Sequence, residues 1–178
     1  MITKAGKAAL LGAYTYAGSR KALFEFKTVD NTTKYISNNL GSSIYPYTLT
    51  TTLRLSNTNT GIYVGSGTTA PTENDNALET MITSGLTGVI SQAQSFNEEI
   101  QKSSLEIDIA LTNTGSAAVT VGEIGLAQYL NASSTKGDTT SGVSSAIFLI
   151  DRTTLETPVT IEPSGTKTIK YTLVTDMS

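Results

Sequence analysis

The chain has 178 residues, enough for one domain with a hydrophobic core, and it contains no histidine and no cysteine. A Ser-His-Asp triad, a cysteine nucleophile, disulfides and metal sites built from thiolates or imidazoles are therefore excluded. The net charge is −3 and the 12 basic residues form no cluster, so nucleic-acid binding is not expected. No apolar run approaches the roughly 20 residues that span a bilayer, and neither membrane association nor a cofactor is expected.

The first 22 residues are predicted to form a short helix or an extended arm. Alanines and leucines over residues 4–17 are good helix formers, whereas Gly6 and Gly12 weaken a helix. Such a segment either packs against its own domain or docks on another subunit, and the composition does not decide between the two. The apolar and aromatic side chains that would dock are Leu10, Leu11, Tyr14 and Tyr16.

Period-two alternation predicts strands in the first half of the chain. Residues 23–27 alternate, Asp30-Asn31 signals a turn, and residues 33–36 return the chain as a hairpin. Over residues 47–55, apolar side chains on one face alternate with polar ones on the other, which is the clearest strand pattern in this half. A further strand is predicted at residues 62–64.

The second half is predicted to continue as strands joined by short turns. Residues 105–111 alternate, Asn113-Thr114-Gly115 forms a turn, and residues 119–126 resume as a strand with a bulge at a glycine. Residues 131–145 are polar and low in complexity, so they are predicted to form a long loop. The apolar run 146–150 is predicted to be a strand that is buried on both faces.

The end of the chain is predicted to form a hairpin, because residues 158–161 and 169–173 flank the turn sequence Glu162-Pro163-Ser164-Gly165. Short strands at regular spacing, separated by Gly, Asn and Pro turns, are typical of sandwiches and barrels. We therefore predict an all-β fold, an antiparallel β-sandwich of the jelly-roll or immunoglobulin-like type. Residues 23–178 would form it as a single domain.

The stretch GIYVGSGTTAPTENDNALE, at residues 61–79, combines closely spaced glycines with an acidic end. It does not match a phosphate-binding loop, because no lysine follows the glycines and Pro71 lacks a backbone donor. Oxygen ligands that calcium prefers are present at residues 73–76, but they lack the alternating spacing of an EF-hand loop. No metal site is therefore predicted.

A structural role is the simplest interpretation of this stretch. Two glycines would set a tight turn after the strand, and a proline would fix its exit. Asp75 or Asn76 would cap a short segment that begins near Leu78. The predicted turn residues are Gly65, Gly67, Pro71 and Asp75.

Two further groups of residues could carry chemistry, and both have simpler interpretations. Glu106 and Asp108 share a strand face, as a pair of glycosidase carboxylates would, but they are more simply its solvated side. Residues 133–136 match the S-x-x-K nucleophile motif without either of the motifs that accompany it in β-lactam-binding enzymes. No catalytic residue is predicted, and the chain is not expected to be an enzyme.

Three segments together resemble small β-rich structural proteins of tailed bacteriophages and prophages. The segments are GIYVGSGTTAPTENDNALE, LTNTGSAAVTVGEIGLA and IFLIDRTTLETPVTIEPSGTKTIKYTLV, within residues 60–175. The positions that carry the resemblance are Gly65, Gly67, Thr68, Pro71, Asp75, Leu78, Glu79, Thr112, Asn113, Val119, Val121, Glu123, Ile124, Gly125, Leu126, Arg152, Leu155, Pro158, Val159, Ile161, Pro163 and Tyr171.

The resemblance implies a non-enzymatic virion component that is assembled in the cytoplasm of a bacterial host. Its partners would be capsid, neck or tail proteins and further copies of itself, as in head decoration, a head or neck fibre, or a tail appendage. Homo-oligomers are expected, with trimers favoured for a fibre. The alternative is a receptor- or glycan-binding module at the tip of an appendage, with loops 65–76 and 131–145 contacting a host-surface glycan.

Overall fold

The alternating, threonine-rich sequence folds almost entirely into strands. The computed structural model describes residues 1–7, 22–37, 52–97, 102–136 and 143–176, and residues 4–7 are helical. No helix in these ranges is long and apolar enough to cross a bilayer. The strands within them are β1 (Ala22–Lys27), β2 (Thr33–Ser37), β3 (Leu53–Arg54), β4 (Gly61–Gly65), β5 (Leu86–Asn97), β6 (Lys102–Asn113), β7 (Val119–Ser133), β8 (Val143–Ile161) and β9 (Thr166–Asp176).

The described strands form two sheets. In the larger sheet the order is β1-β2-β7-β4-β3, and β8 pairs along the other side of β7. The smaller sheet has the order β5-β6-β9. All pairs are antiparallel except the two-residue β3–β4 pair, which is parallel. The prediction of an all-β fold of the sandwich type is confirmed.

The main hydrophobic core lies between the two sheets, and inward-facing residues of both contribute to it. Removing this apolar surface from water is the dominant favourable term in folding, so this layer holds the sheets together. Its larger buried members are Ile107, Ile109 and Leu111 on β6, Ile169 and Tyr171 on β9, Val121, Ile124 and Leu126 on β7, and Phe148 and Ile161 on β8.

A second, smaller core covers the outer face of the larger sheet. Tyr63, Ala127 and Leu149 are buried there together with Val29 from the β1–β2 turn. Leu78, from the connection between β4 and β5, packs on top of them. Strand β7 is therefore covered on both faces, and the connection that carries the predicted turn residues lies directly over it.

Two local predictions are confirmed. β1 and β2 form the expected hairpin, with Asn31 at a φ of 65° in its turn. The strand that follows Asn113-Thr114-Gly115 contains the expected glycine bulge, because the register of β7 against β8 shifts between Val121 and Glu123. The residue in that shift is Gly122, where a Cβ would lie 2.6 Å from the carbonyl oxygen of Gly67.

The predicted final hairpin is wrong, although its turn is where the sequence placed it. Residues 159–161 pair with Val119–Val121 on β7, and β9 pairs with β6. The turn at residues 162–165, with Ser164 at a φ of 62°, therefore carries the chain from one sheet to the other. The same turn chemistry serves a hairpin and a crossover between packed sheets, so the local pattern cannot distinguish them.

Two predicted boundaries also change. β7 continues to Ser133 and β8 begins at Val143, so the polar loop is shorter than residues 131–145. Residues 137–142 lie outside the described residues. Of the alternating segment 47–55, Leu53–Arg54 forms β3 and residues 47–51 lie outside the described residues.

The start of the chain packs on β8 of its own domain. The backbone amide of Thr3 donates to the carbonyl oxygen of Ile150 at 3.0 Å, and its hydroxyl donates to the carbonyl oxygens of Leu149 and Ile150. A Cβ on Gly6 would clash with the carbonyl oxygen of Ile150, so this backbone approach requires glycine. Residues 1–7 thus belong to the β-domain by their contacts.

Asn113 lies where two of the connections between the sheets meet, the β6–β7 turn and the β8–β9 turn. Its side chain is buried, and Nδ2 donates to the carbonyl oxygens of Ala117 and Ile161, both at 2.8 Å. Its Oδ1 accepts from the amide of Gly115 at 2.8 Å. Its backbone carbonyl accepts from Ser164 at 3.0 Å. One side chain therefore connects the β6–β7 turn with the end of β8.

We expect Asn113→Ala to lower the free energy of unfolding by about 3 kcal/mol, because it leaves buried backbone groups without partners. Urea unfolding followed by circular dichroism measures this change. Asn59→Ala, at an exposed turn, is the matched control and is expected to change the free energy by less than about 0.5 kcal/mol. Equal effects of the two substitutions would contradict the assigned role of Asn113.

Candidate functional site

Arg152 on β8 is the centre of a buried polar network beneath the connection between β4 and β5. The residue is 4% exposed, and its side chain points to the outer face of the larger sheet. Its Nε donates to Glu123 Oε2 and its Nη1 donates to Asp75 Oδ2, both at 2.7 Å. Its Nη2 donates to the carbonyl oxygen of Thr69 at 3.1 Å and lies 3.6 Å from Glu79 Oε2. The guanidinium therefore joins two strands to three points of one connection.

Glu123 is the buried anion that faces this guanidinium. It is 0% exposed, and the bulge at Gly122 brings it to the outer face of β7. Its Oε1 accepts from the amides of Gly67 at 3.2 Å and Thr80 at 2.8 Å, and its Oε2 accepts from the amide of Glu79 at 3.1 Å. With the bond from Arg152, four donors fill the acceptor capacity of this carboxylate.

Glu79 organises the first half of the connection. Its Oε2 accepts from the amides of Thr68 at 3.0 Å and Thr69 at 2.9 Å. Hydrogen bonds from Thr69, and then the bond from Thr68 and the charge of Arg152, outweigh burial and lower the pKa of Glu79. Its carboxylate therefore fixes two successive backbone amides of the loop.

Asp75 organises the second half of the connection. Its two oxygens accept from the amide of Thr72 at 2.9 Å and from the Thr72 hydroxyl at 2.7 Å. Burial raises the pKa of Asp75, but hydrogen bonds from Thr72 and Arg152 outweigh it, and the net pKa lies below its ordinary value. Asp75 was expected to cap a short segment that begins near Leu78, but its carboxylate accepts instead from Thr72, earlier in the connection, and from Arg152.

The two predicted turn glycines lie against this network. Gly65 ends β4, and a Cβ there would meet the buried Glu123 carboxylate and lie 2.6 Å from the carbonyl oxygen of Thr80. A Cβ on Gly67 would lie 2.6 Å from Glu123 Oε1. Neither glycine has a positive φ. Close approach of the backbone to Glu123, and not a left-handed turn, is the reason that these positions require glycine. Pro71 lies farther along the same connection, half-buried.

The oxygen-rich residues 73–76 do not converge on a point. Glu73 pairs with Lys7 at 2.7 Å, and Asn74 Oδ1 accepts from Lys4 at 2.7 Å. Asn76 Nδ2 donates to the carbonyl oxygen of Thr28 at 2.9 Å, whereas Asp75 faces Arg152. Among the described residues, no group of three or more acidic side chains has an arrangement that could hold a metal ion.

The two other candidate groups are also separated from this network. Glu106 is exposed on β6 and lies 3.9 Å from Lys170 across the strand pair, and Asp108 has one buried oxygen without a hydrogen-bond partner. Ser133 is buried at the end of β7, where its hydroxyl accepts from the amide of Thr135 at 3.1 Å. The docking candidates Leu10, Leu11, Tyr14 and Tyr16 lie outside the described residues.

A second polar contact, which sequence reasoning missed, crosses the space between the sheets. The Tyr171 hydroxyl on β9 donates to Asp151 Oδ2 on β8 at 2.6 Å. Burial, and then the charge of Asp151, raises the pKa of Tyr171. Successive side chains of a strand point to opposite faces, so Asp151 faces the smaller sheet and Arg152 faces the outer side. Two adjacent charged residues therefore stabilise two different layers.

Comparisons of the chain with protein-family models, with curated proteins and with solved structures find no match. The fold and the site define an all-β protein of the sandwich type in which a buried ion-pair network fastens one long connection to the larger sheet. The carboxylates of Asp75, Glu79 and Glu123 all accept hydrogen bonds from backbone amides of that connection. This is the arrangement of a structural site.

The lowered pKa values predict loss of stability in acid. A carboxylate with a lowered folded-state pKa contributes stability that is present above its unfolded pKa and is lost as pH falls through the folded pKa. For Asp75 and Glu79, with ordinary pKa values of 3.8 and 4.5, this loss begins below about pH 4.5. We expect the free energy of unfolding to fall in this range, and to fall less steeply in Asp75→Asn.

Urea unfolding at intervals from about pH 7 to about pH 2 measures this dependence. Glu156→Gln removes an exposed carboxylate on β8 and serves as the matched control, with a profile like that of the unchanged protein. If Asp75→Asn and the unchanged protein had parallel profiles, the Asp75 contact would not be a source of the acid sensitivity.

Proposed function

We propose that this protein is a non-enzymatic structural component of a tailed-phage virion, bound in many copies to the capsid, neck or tail. The observation that carries the proposal is the meeting of distant residues from the three resembling segments. Asp75 and Arg152 are 77 residues apart in the chain, and Glu123 and Arg152 are 29 apart, yet both pairs are in direct contact. The resemblance therefore rests on residues that form one structural unit.

The chemistry of that unit supports a structural role and not a catalytic one. The guanidinium of Arg152 and the carboxylate of Glu123 are buried and bound to partners within the chain, so neither is presented to a substrate. A general acid or base must come within hydrogen-bond distance of the group on which it acts. A rigid connection over a sandwich, by contrast, suits a subunit that is repeated on a lattice.

The smaller sheet offers a surface for such contacts. The outward side chains over residues 87–93 of β5 are exposed and uncharged, and Val89 is 75% exposed. The centres of protein interfaces are depleted in charged residues, so this row suits contact with a lattice or with a second copy. The members of the row are Thr87, Val89, Ser91 and Ala93.

The test is to purify phage particles from a culture of the bacterium that carries this sequence and to quantify the chain by mass spectrometry. We expect the chain in the particle fraction, at many copies per particle, and gold-labelled antibodies against it should mark the head, neck or tail. Recovery of the chain outside the particles alone would contradict the proposal. Light scattering of the purified protein then separates a preformed trimer from a monomer that is ordered by the lattice.

A pair of variants tests the contact surface. Val89→Lys places a charge in the exposed row on β5 and is expected to reduce incorporation into particles. Thr160→Lys places the same charge at an exposed position on β8 in the larger sheet and is the matched control. The docking role of Leu10, Leu11, Tyr14 and Tyr16 stays a prediction, and Tyr14→Ser tests it in the same assay.

A further inference from the structure

A cleft of about 580 Å³ opens on the outer face of the larger sheet, beside the smaller core. Three separate parts of the described chain surround it: the β1–β2 turn, the segment before β4, and the paired strands β7 and β8. Its volume lies within the range of small-molecule sites, which is about 300–1,000 Å³. The residues that matter for its chemistry are Val29, Asp30, Lys34, Asn57, Tyr129 and Ile147.

The lining combines an apolar base with polar groups around it. Tyr129 is half-buried on β7, so part of its ring faces the cleft beside Val29 and Ile147. Asp30 and Asn57 are exposed at the rim and supply hydrogen-bond acceptors, and the amide of Asn57 also supplies donors. Lys34 Nζ donates to Ser134 Oγ at 2.8 Å and keeps two further protons.

The polar groups keep capacity for a ligand. Asp30 Oδ1 accepts from the Thr28 hydroxyl and from the amide of Thr32, at 3.2 Å for the amide. The residue is exposed at the rim of the cleft, so its carboxylate is also open to a ligand. The hydrogen bonds from Thr28 and Thr32 lower the pKa of Asp30, so the group is ionised at neutral pH. An ionised carboxylate accepts strong hydrogen bonds from hydroxyl groups.

The walls of the cleft are held before any ligand arrives. The amide of Val29 donates to the carbonyl oxygen of Ile147 at 3.1 Å, which ties the β1–β2 turn to β8. The side chain of Asn76 donates to the carbonyl oxygen of Thr28 at 2.9 Å, which ties the same turn to the connection over the sheet. A site whose walls are fixed in advance loses less entropy when it binds.

We propose that this cleft binds a neutral saccharide, with the Tyr129 ring against the C–H face of a sugar and with Asp30 and Asn57 bound to its hydroxyls. A sugar ring presents an apolar face and a rim of groups that both donate and accept, which matches an aromatic base with a polar rim. Asp30 and Lys34 carry opposite charges, so the cleft favours a ligand without net charge.

This assignment differs from the loops that the sequence suggested for glycan contact. The amides and carboxylates of residues 65–76 are engaged with Arg152, Glu123 and Glu79, so that loop has few groups left for a glycan. The cleft uses instead the β1–β2 turn and the end of β7. The inference does not depend on the virion proposal, because a saccharide site is compatible with any location of the protein.

Saturation-transfer NMR on the full chain tests the cleft. The probes are methyl glucoside, methyl galactoside, methyl rhamnoside and N-acetylglucosamine, each at about 10 mM, which saturates a site with a Kd of about 1 mM. We expect transfer to at least one probe, strongest at the C–H face of its ring. An array of bacterial surface glycans extends the same test to longer chains.

Variants locate the binding. Tyr129→Ala and Asp30→Asn are each expected to weaken binding by roughly tenfold or more, whereas Tyr129→Phe keeps the ring and retains it. Glu162→Gln, in an exposed turn outside the cleft, is the control and binds like the unchanged protein. Asn57→Ala, at an exposed turn, replaces Tyr129→Ala in this test if the latter does not fold, and it is also expected to weaken binding.

Two results would overturn the inference. One is the absence of any response to the four probes and to the array by the folded protein. The other is unchanged binding by Tyr129→Ala and Asn57→Ala variants that keep the melting temperature of the unchanged protein. Neither result depends on whether the protein is incorporated into particles. A failure of the saccharide-binding proposal can therefore be told apart from a failure of the virion proposal.

Discussion

Arg152→Met will lower the free energy of unfolding by about 3–5 kcal/mol, the range seen when one partner of a buried ion pair is removed. The methionine fills similar volume but leaves the Glu123 carboxylate, 0% exposed, without its counter-charge. It also removes the donors to Asp75 and to the carbonyl oxygen of Thr69. Urea unfolding measures the loss, and in a domain of this size it corresponds to a fall in melting temperature of roughly 10 °C.

A second substitution separates the effect of the unpaired Glu123 charge from the effect of the Glu123 hydrogen bonds. If the cost comes from an unpaired buried anion, Arg152→Met combined with Glu123→Gln is more stable than Arg152→Met alone, because the glutamine is neutral. Lys170→Met removes an exposed cation, 3.9 Å from Glu106, and should change the free energy by less than about 0.5 kcal/mol. A double variant less stable than Arg152→Met would show that Glu123 acts through its hydrogen bonds to the loop and not through its charge.

Arg152→Lys distinguishes the fork geometry from the charge. The guanidinium reaches Glu123 from Nε, Asp75 from Nη1 and Thr69 from Nη2, so three partners in different directions depend on its planar shape. A lysine keeps the charge but presents it at a single nitrogen. We therefore expect Arg152→Lys to recover only part of the stability that Arg152→Met loses.

Local patterns predicted the parts of the fold that local interactions determine. The β1–β2 hairpin and the buried face of β6 followed from period-two alternation and turn residues, because both features are set within a few residues. The pairing of β8 with β7, and of β9 with β6, was not predictable in the same way. Residues 159–161 and 169–173 alternate equally well in a hairpin and in two different sheets, and the choice depends on which strands are already present.

The site was predictable in composition but not in geometry. Gly65, Gly67 and Asp75 were expected to act structurally, in a tight turn and as the cap of a short segment, but the network also depends on Glu123 and Arg152. The sequence did indicate a buried ion pair. Glu123 lies within the apolar strand segment VGEIGLA, and Arg152 comes at the end of the apolar strand segment AIFLIDR. Charged residues are almost never buried without partners, so such a position suggests a buried pair. The identity of the partners requires the topology.

The cleft could not be predicted from the sequence at all. Asp30, Asn57 and Tyr129 lie on three separate segments, and nothing in the spacing of those segments indicates that they meet. The hydrogen bond between Val29 and Ile147 and the pairing of β2 with β7 place the β1–β2 turn beside β8. Such contacts between distant segments depend on the whole fold, and for that reason the sequence suggested the polar loops instead.

Gly65→Ala is the sharpest test of why the connection has its shape. An added methyl group would meet the buried Glu123 carboxylate and lie 2.6 Å from the backbone oxygen of Thr80, and neither can move without breaking the network. Overpacking against such fixed groups typically costs about 1–3 kcal/mol, and we expect the upper end of that range. Hydrogen exchange should quicken at the amides of Glu79 and Thr80, because both donate to Glu123.

Gly125→Ala provides the comparison, because it adds the same methyl group at another buried glycine in the same sheet. There the methyl group would lie 2.8 Å from the terminal carbons of Leu149 and Leu78, side chains that can rotate away. We expect a cost below about 1.5 kcal/mol and no faster exchange at Glu79 or Thr80. Suppose that both variants lost equal stability and that hydrogen exchange quickened at amides throughout the domain rather than at Glu79 and Thr80. Gly65 would then be required only for packing. A selective loss at the Glu123 acceptors would instead show that this glycine lets the backbone reach a buried anion, which in turn fixes the connection on the sheet.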